Sequence, residues 1–349
     1  MLLAAGKGER MLPLTLSLPK PAIPVLGEAL AGQILGRLAS FGVTETTVNL
    51  HHLPDLVRSV IGDGNRLGLE RIHYSLEEDR ILGTGGGMRR AADSLRGSGT
   101  IVVHNADFLS DIDIAAALAT HRASGHPATL VLAPARPGYT PVIAGGDRVL
   151  AIGDRPQPAE GRPFMFTGCH LVEPEILDRL PDGPGDIVRD LYYEMIDAGE
   201  LGFHLHDGWW WEFGTPAEFL EGTFRLIDLP RESLDLLCAH DSIREIGMAR
   251  VAVGDGADFH VAVGLAGRVA LGAAARIGEG SYLENTIVMP EAWIGPGSRL
   301  KGVIVAPEIE LPAGFDAENV LVCGDPDPAA APPPGCERRD AFLIRPIVP

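Results

Sequence analysis

Short apolar runs alternate with amphipathic stretches from Leu2 to Leu132. Runs bounded by turn-forming residues predict strands at Leu2–Ala5, Thr46–Leu50, Arg71–Tyr74, Thr100–His104 and Ala128–Leu132. Apolar positions three and four apart predict helices at Gly32–Phe41, Pro54–Gly62, Met88–Leu95 and Ile112–Ser124. Strand–helix–strand units close as right-handed crossovers. The alternation therefore predicts an α/β, Rossmann-like domain with a mostly parallel mixed sheet. Such sheets bind ligands beyond the carboxyl ends of their strands.

The pattern changes near Pro230. A predicted helical stretch to about Ala249 leads into a valine- and glycine-rich run. There apolar residues recur at six-residue intervals, at Ile277 and Leu283, then at Ile294 and Leu300. Gly278-Glu279-Gly280 and Gly295-Pro296-Gly297 form turns between them. This is a degenerate hexapeptide repeat and predicts a parallel β-helix, with an irregular β-sandwich as the alternative. From Asp325 the chain is rich in proline, which predicts a semi-extended tail on the surface or disordered. The expected division is 1–228 for the α/β domain, 229–250 for a linker helix, 251–324 for the β-helix and 325–349 for the tail.

Acidic residues outnumber basic ones, 47 to 29, for a net charge of −18. That balance argues against a general nucleic-acid or anionic-membrane binder, so any bound anion must be held by local groups. With 46% hydrophobic residues in 349, the chain can build two cores. The four cysteines, Cys169, Cys238, Cys323 and Cys336, form no close pair of the kind zinc sites use and suggest no disulfide framework. No secretory leader and no apolar run of about 18 residues is read, so the expected location is cytoplasmic.

Leu2-Leu3-Ala4-Ala5 runs into Gly6-Lys7-Gly8-Glu9-Arg10. A strand entering a glycine-rich loop lets backbone N–H groups approach a polyphosphate, and Arg10 adds a fork for its oxygens. An ordinary strand–loop turn fits the same residues, and the loop is neither a P-loop nor a full dinucleotide fingerprint. Further on, Pro19-Lys20-Pro21 restricts the backbone around Lys20, whose ammonium can reach the same anion. Thr215-Pro216 predicts a helix start, and Trp209, Trp210 and Trp211 predict a core wall.

Leu-Ala-Ala-Gly-x-Gly-x-Arg-x-x-Pro-Leu-Thr, then Pro-Lys-Pro, resembles the signature of the sugar-1-phosphate nucleotidylyltransferases. Val48–Leu53, Leu82–Gly87, Asn105-Ala106-Asp107, Phe166-Thr167-Gly168 and Trp211–Pro216 continue the resemblance in order. It implies in-line attack of a sugar 1-phosphate oxygen on the α-phosphorus of a nucleoside triphosphate, with loss of pyrophosphate. Ala4, Ala5, Gly6, Lys7, Gly8 and Arg10 would hold the triphosphate, and Lys20 the α-phosphate. Thr84, Gly85 and Gly86 would contact the base and its sugar. Asp154, Arg155, Thr167 and Gly168 would hold the sugar phosphate. Asp107, at a strand's end, and Glu212 would bind Mg²⁺, whereas Asp111 and Asp113 have turn or N-cap roles and His51 and His52 a helix-start role.

Departures are Glu9 for a usual threonine, Ala106 for glycine, Arg155 for lysine and Glu212 for aspartate, and the first strand is shorter than the family's. An inactive nucleotide-sugar-sensing paralogue is therefore one alternative, and a hexapeptide acyltransferase a second. The C-terminal half is similar to mannose-1-phosphate guanylyltransferases, implying a left-handed β-helix. The first half is also similar to N-acetylmuramate-1-phosphate uridylyltransferases. A β-helix this short leaves a terminal rung unpaired. A homo-oligomer through that rung is expected, with the chemistry confined to the first domain.

Overall fold

The computed structural model describes residues 1–97, 99–156, 158, 160–237 and 242–348. These fall into two compact units. The first comprises Met1–Gly6, Ile34–Ala106 and Ser110–Trp210, and the second Lys7–Gln33, Asp107–Leu109 and everything from Trp211 onward. By contacts the chain is therefore not divided at residue 228: the loop after the first strand belongs with the C-terminal half.

The first unit is built on nine strands, β1 (Leu2–Leu3), β2 (Glu45–Leu50), β3 (Arg71–Leu76), β4 (Ile101–Asn105), β5 (Ala128–Pro134), β6 (Pro141–Gly145), β7 (Arg148–Ile152), β8 (Arg162–Val172) and β9 (Leu201–Leu205). They lie in the order β3-β2-β1-β4-β8-β5-β9-β7-β6. The four strands β3, β2, β1 and β4 are parallel, as their helical connections require. The long β8 then runs antiparallel to both β4 and β5, and β7 antiparallel to β9 and β6. The sheet is mixed, and "mostly parallel" holds only for the half that comes first in sequence. Val103, Leu130, Leu132, Val142 and Val172 fill the core with Met88, Leu191 and Met195 from the helical segments.

The helices are α1 (Leu30–Ser40), α2 (Pro54–Ile61), α3 (Gly83–Arg90), α4 (Ile114–Ser124), α5 (Tyr193–Ala198) and α6 (Pro216–Ile227). Asp113 is the N-cap of α4, its carboxylate accepting from Ala116 N–H at 2.9 Å, so that helix starts two residues later than the pattern predicts. The helix predicted over Met88–Leu95 is two, α3 and a short turn at Ala92–Leu95. Among the described residues no helix is long and apolar enough to cross a membrane. Cys169, Cys323 and Cys336 are free thiols, and Cys238 lies outside the described residues.

The C-terminal part of the second unit is strand-rich and consistent with a parallel β-helix. Ile277 pairs with Ile294 and Ile294 with Leu311, while Leu283 pairs with Leu300, so each residue stacks in parallel register on its counterpart one rung later. Ile277, Leu283, Ile294 and Leu300 are all buried, as the six-residue pattern predicts. An earlier rung carries one residue more than these. Its surplus is absorbed where Gly267 and Arg268 lie opposite the single Asn285, whose Oδ1 accepts from Arg268 N–H at 3.1 Å. Gly267 there has φ 66°, which a side chain rarely tolerates.

Two expectations fail in this unit. The linker helix over 229–250 shrinks to Arg231–Leu234. Ser242–Ile246 and Met248–Val253 form an antiparallel hairpin instead, turning at Gly247 with φ 62°. The spacing of Ile243 and Ile246 imitates a helix, but cross-strand pairing outweighs it. The tail is not merely semi-extended either. Glu337–Arg339 and Phe342–Pro346 form a hairpin, and the latter strand pairs antiparallel with Val320–Gly324, burying Leu343 and Ile344. One face of the last rung is thus covered by the chain itself, while Glu310–Leu311 and Asp316–Glu318 carry no later strand among the described residues. Within the rungs Met289 is buried and Trp293 is exposed.

Because Ile294 is fully buried between two rungs, Ile294→Ala should destabilise the protein by about 2–5 kcal/mol through lost burial and a residual cavity. Denaturant unfolding followed by circular dichroism measures this, and a change under about 1 kcal/mol would mean that the rung interior is not packed as described.

Candidate active site

The second unit gathers charged side chains that are far apart in sequence. Gly8 adopts φ 66°, and a Cβ there would meet Thr15 Cγ2 at 2.9 Å, so only glycine fits. The Thr15 hydroxyl donates to Gly8 O at 2.9 Å and fastens the bend. A 3₁₀ turn over Glu9–Met11 follows, rooted by the buried Met11 and Leu14. From it Arg10 Nη2 donates to Glu212 Oε1 at 2.5 Å. Lys20 Nζ lies 3.5 Å from Asp107 Oδ2. Asp107 and Glu212 are brought together by a two-stranded ladder, Phe108–Ser110 against Trp210–Glu212, and by Phe213 N–H donating to Asp107 O at 2.8 Å.

Burial raises the Asp107 carboxyl above its ordinary pKa, and the Glu212 carboxylate adds to this against the pull of Lys20 and Arg10. Arg10 is held above its usual range. Burial opposes this, but Glu212, Glu218 and Asp107 outweigh it, so the guanidinium stays charged. Two adjacent carboxylates, partly open to solvent, are the donor set a hard divalent cation takes when substrate oxygens complete its shell. Among the described residues no group of three or more His, Cys, Asp and Glu could hold a metal by itself.

The first unit carries a separate polar chain. Ala4 N–H donates to Asn49 Oδ1 at 2.8 Å, Asn49 Nδ2 to Glu77 Oε1 at 2.7 Å, and Leu82 N–H to Glu77 Oε2 at 2.6 Å. Both side chains are buried and fully engaged. The segment after β1 and the glycine-rich start of α3 are thereby tied to one carboxylate. Sequence reasoning missed Glu77 as a site residue. The available signal was Asn49, a lone amide between Val48 and Leu50 that needs buried partners.

Residues 1–228 match the nucleotidyl transferase family. The chain belongs to that family. A mannose-1-phosphate guanylyltransferase of Mycobacterium tuberculosis (strain ATCC 25618 / H37Rv) is 31% identical over 297 residues, covering 82% of this chain and 79% of that protein. An N-acetylmuramate alpha-1-phosphate uridylyltransferase of Neisseria meningitidis serogroup B is 33% identical over 224 residues, covering 63% of this chain and 95% of its own. A crystal structure titled "Putative Glucose-1-Phosphate Thymidylyltransferase" from Bacillus anthracis, with sucrose, superposes with a TM-score of 0.57 at 20% identity. It covers 66% of this chain and 95% of that one, and supports the α/β fold. The chain is a nucleotidyltransferase.

Within this nucleotidyltransferase, Lys7, Gly8, Arg10, Lys20, Asp107 and Glu212 all lie in the second unit, and Ala4, Ala5 and Gly6 lead the chain into it. The other expected site residues lie in the first unit. Gly85 and Gly86 are buried rather than offered as a platform. Gly85 N–H donates to Gly185 O at 3.0 Å, and a Cβ on Gly85 would come within 3.2 Å of Ile187 N. The Thr84 hydroxyl accepts from Ile187 N–H at 2.9 Å. These small residues admit the 183–187 segment, so their packing role competes with the expected base contact.

Arg155 donates to Tyr193 O at 2.7 Å, pairs with Asp197 and lies over the Tyr193 ring, which turns it toward α5. Asp154 beside it is exposed. Thr167 is buried and donates to Val131 O, and Gly168, at φ 87°, forms a bulge where β8 slips against β5. Both shape the strand at this point. Thr215 caps α6 by accepting from Glu218 N–H at 3.2 Å, with Pro216 following. Of the three tryptophans expected as a core wall only Trp210 is buried, edge-on to Tyr139, while Trp209 and Trp211 are half-buried. His51 Nδ1–H donates to Glu77 O at 2.7 Å just before α2, consistent with a helix-start role.

A carboxyl with a raised folded-state pKa takes up protons on folding, so wild-type stability falls as pH rises from the unfolded pKa to the folded one. Asp107→Asn lacks that linkage. Its Tm relative to wild type should rise across this window, from the ordinary carboxylate pKa upward. A pH-independent difference in paired melting curves would show that Asp107 is not held above its usual range.

Proposed function

We propose that this nucleotidyltransferase joins a nucleoside triphosphate to a sugar 1-phosphate, releasing pyrophosphate. The observation that carries this reading is the meeting of Arg10, Lys20, Asp107 and Glu212, residues up to 202 positions apart, as two cation–carboxylate pairs in one compact unit. A phosphate oxygen of the sugar attacks the α-phosphorus as the bond to the pyrophosphate oxygen breaks. No protein nucleophile is needed, so the residues act by alignment and charge neutralisation.

In this reading the N–H groups of Gly6 and Gly8 and the Arg10 fork hold the β and γ oxygens. Lys20 faces the α-phosphate, where charge builds in the transition state. Asp107 and Glu212 hold Mg²⁺, which supplies neutralisation of phosphate charge when bound. Arg10 must leave Glu212 for the triphosphate, an exchange of one anion for another at the same fork. For the first unit the family resemblance assigns Thr84 to the base and Arg155 to the sugar phosphate, with the buried Thr167 and Gly168 contributing through the shape they give β8. Both the mannose-1-phosphate–GTP and the N-acetylmuramate-1-phosphate–UTP pairings follow from the relatives. The C-terminal rungs, which return to parallel register after nearly constant lengths of chain, support a left-handed β-helix.

One observation favours the alternative of a nucleotide-sugar-sensing protein without catalysis: Arg155 is committed to Tyr193 and Asp197. Pyrophosphate release decides between them. GTP, UTP and dTTP are each to be combined with mannose, glucose and N-acetylmuramate 1-phosphates and Mg²⁺. Release with one pairing is expected. Nucleotide-dependent thermal stabilisation without release from any pairing would favour the sensor.

Arg10 contacts oxygens charged before and after transfer, so Arg10→Ala should raise the KM for nucleotide about tenfold with a smaller change in kcat. Lys20 acts where charge develops, so Lys20→Ala should lower kcat by about 100-fold or more. Steady-state kinetics on both variants tests this division, and identical profiles would refute it. Asp107→Asn should abolish turnover.

A further inference from the structure

The last strand of the tail, Phe342–Pro346, sends one side chain back to the start of the chain. Arg345 Nη1 donates to Arg10 O at 3.0 Å and to Leu12 O at 2.5 Å. These carbonyls flank Met11, whose side chain is fully buried. Arg10 is thus bracketed. On one side Thr15 fastens the left-handed bend at Gly8, and on the other Arg345 fastens the peptide groups around Met11. The Arg10 side chain itself is 57% exposed and is held by a single carboxylate oxygen, so its aim depends on where its backbone is rooted.

We infer that Arg345 is a positioning residue for nucleotide binding: from the C-terminal strand it fixes the backbone from which Arg10 reaches the triphosphate. The inference rests on the role of Arg10 proposed above. A charged donor to a carbonyl is stronger than a neutral one, and the planar guanidinium aims one nitrogen at both acceptors at once. Around this contact the tail is loosely packed. A cavity of about 590 Å³ lies between Thr215–Glu218 at the start of α6 and Gly335 and Arg345–Val348. Arg345 therefore bridges to the loop as a discrete link. Leu343 and Ile344, which anchor the strand on Val320–Gly324, are separate from it. Contrary to the expectation that the first domain suffices, the C-terminal strand then takes part in substrate binding.

The test is a thermodynamic cycle on the full chain. Nucleotide Kd is measured by calorimetric titration, without sugar phosphate, for wild type, Arg345→Ala, Arg10→Ala and the double variant, using whichever of GTP, UTP or dTTP the wild type turns over. Arg345→Ala should weaken binding roughly tenfold, with kcat and the KM for sugar 1-phosphate changed much less. In the Arg10→Ala background the same change should add little, because its effect runs through Arg10. Arg345→Lys should fall between wild type and Arg345→Ala, since an ammonium keeps the charge but loses the fixed planar aim. It also provides the measurement if the alanine variant does not fold. Unchanged affinity in both Arg345 variants, or additive losses in the double variant, would overturn the inference. Failure of the wild type to release pyrophosphate with any substrate pairing would instead overturn the proposed reaction.

Discussion

Two cations expected to meet a triphosphate are already held by carboxylates, Arg10 by Glu212 and Lys20 by Asp107. A chain with 18 excess negative charges repels a polyanion at a distance, although screening limits that repulsion to about 8–10 Å. Attraction must come from fixed local cations. Left alone in a partly buried setting these would be costly, and carboxylates beside them offset that cost. The same carboxylates are of the type that binds a divalent cation. Substrate and metal together can therefore replace both internal pairs without leaving a charge unmatched.

Glycine serves two different purposes in the regions that resemble the family signature. At Gly8 the backbone itself is unusual and the neighbouring Thr15 leaves no space for a Cβ. In α3 the run of glycines has an ordinary helical backbone, and what it provides is room. A Cβ on Gly87 would lie 2.7 Å from Asn49 Nδ2 and 2.9 Å from Glu77 Oε1, inside the buried polar chain. Three glycines are poor helix formers, but N–H groups of Gly85 and Gly86 both point to Gly185 O, and Gly185 N–H returns to Leu82 O. Tertiary hydrogen bonding offsets the weak propensity.

Much of this is legible from the sequence because it is local. Gly8, Arg10 and Lys20 lie close together along the chain and carry their chemistry in their spacing, and the rungs repeat a short apolar period. What escapes depends on distant partners. Nothing near Glu77 announces that Asn49 and Leu82 will satisfy both its oxygens. Nothing near Arg155 announces that Tyr193 and Asp197 will claim it. The hairpin over 242–253 escapes for a subtler reason, since a three-residue spacing of isoleucines fits either a helix or a twisted strand. Gly247 at its turn is the better clue.

The surplus residue at Gly267–Arg268 has a mechanical consequence. Without a counterpart of its own on the following strand, Arg268 reaches Asp228 at the end of α6, which its guanidinium grips through contacts of 2.9–3.2 Å. The extra residue thus acts as a rivet, fastening the coil to the helix that follows Glu212. Deleting one residue there would bring this coil to the length of the later rungs, but at the expense of its unbroken register with Met248–Val253 on the other side. A second loss would appear as slack between the coil and α6. In a repeat of this kind, an irregular length can be a hinge pin that the regular turns could not supply.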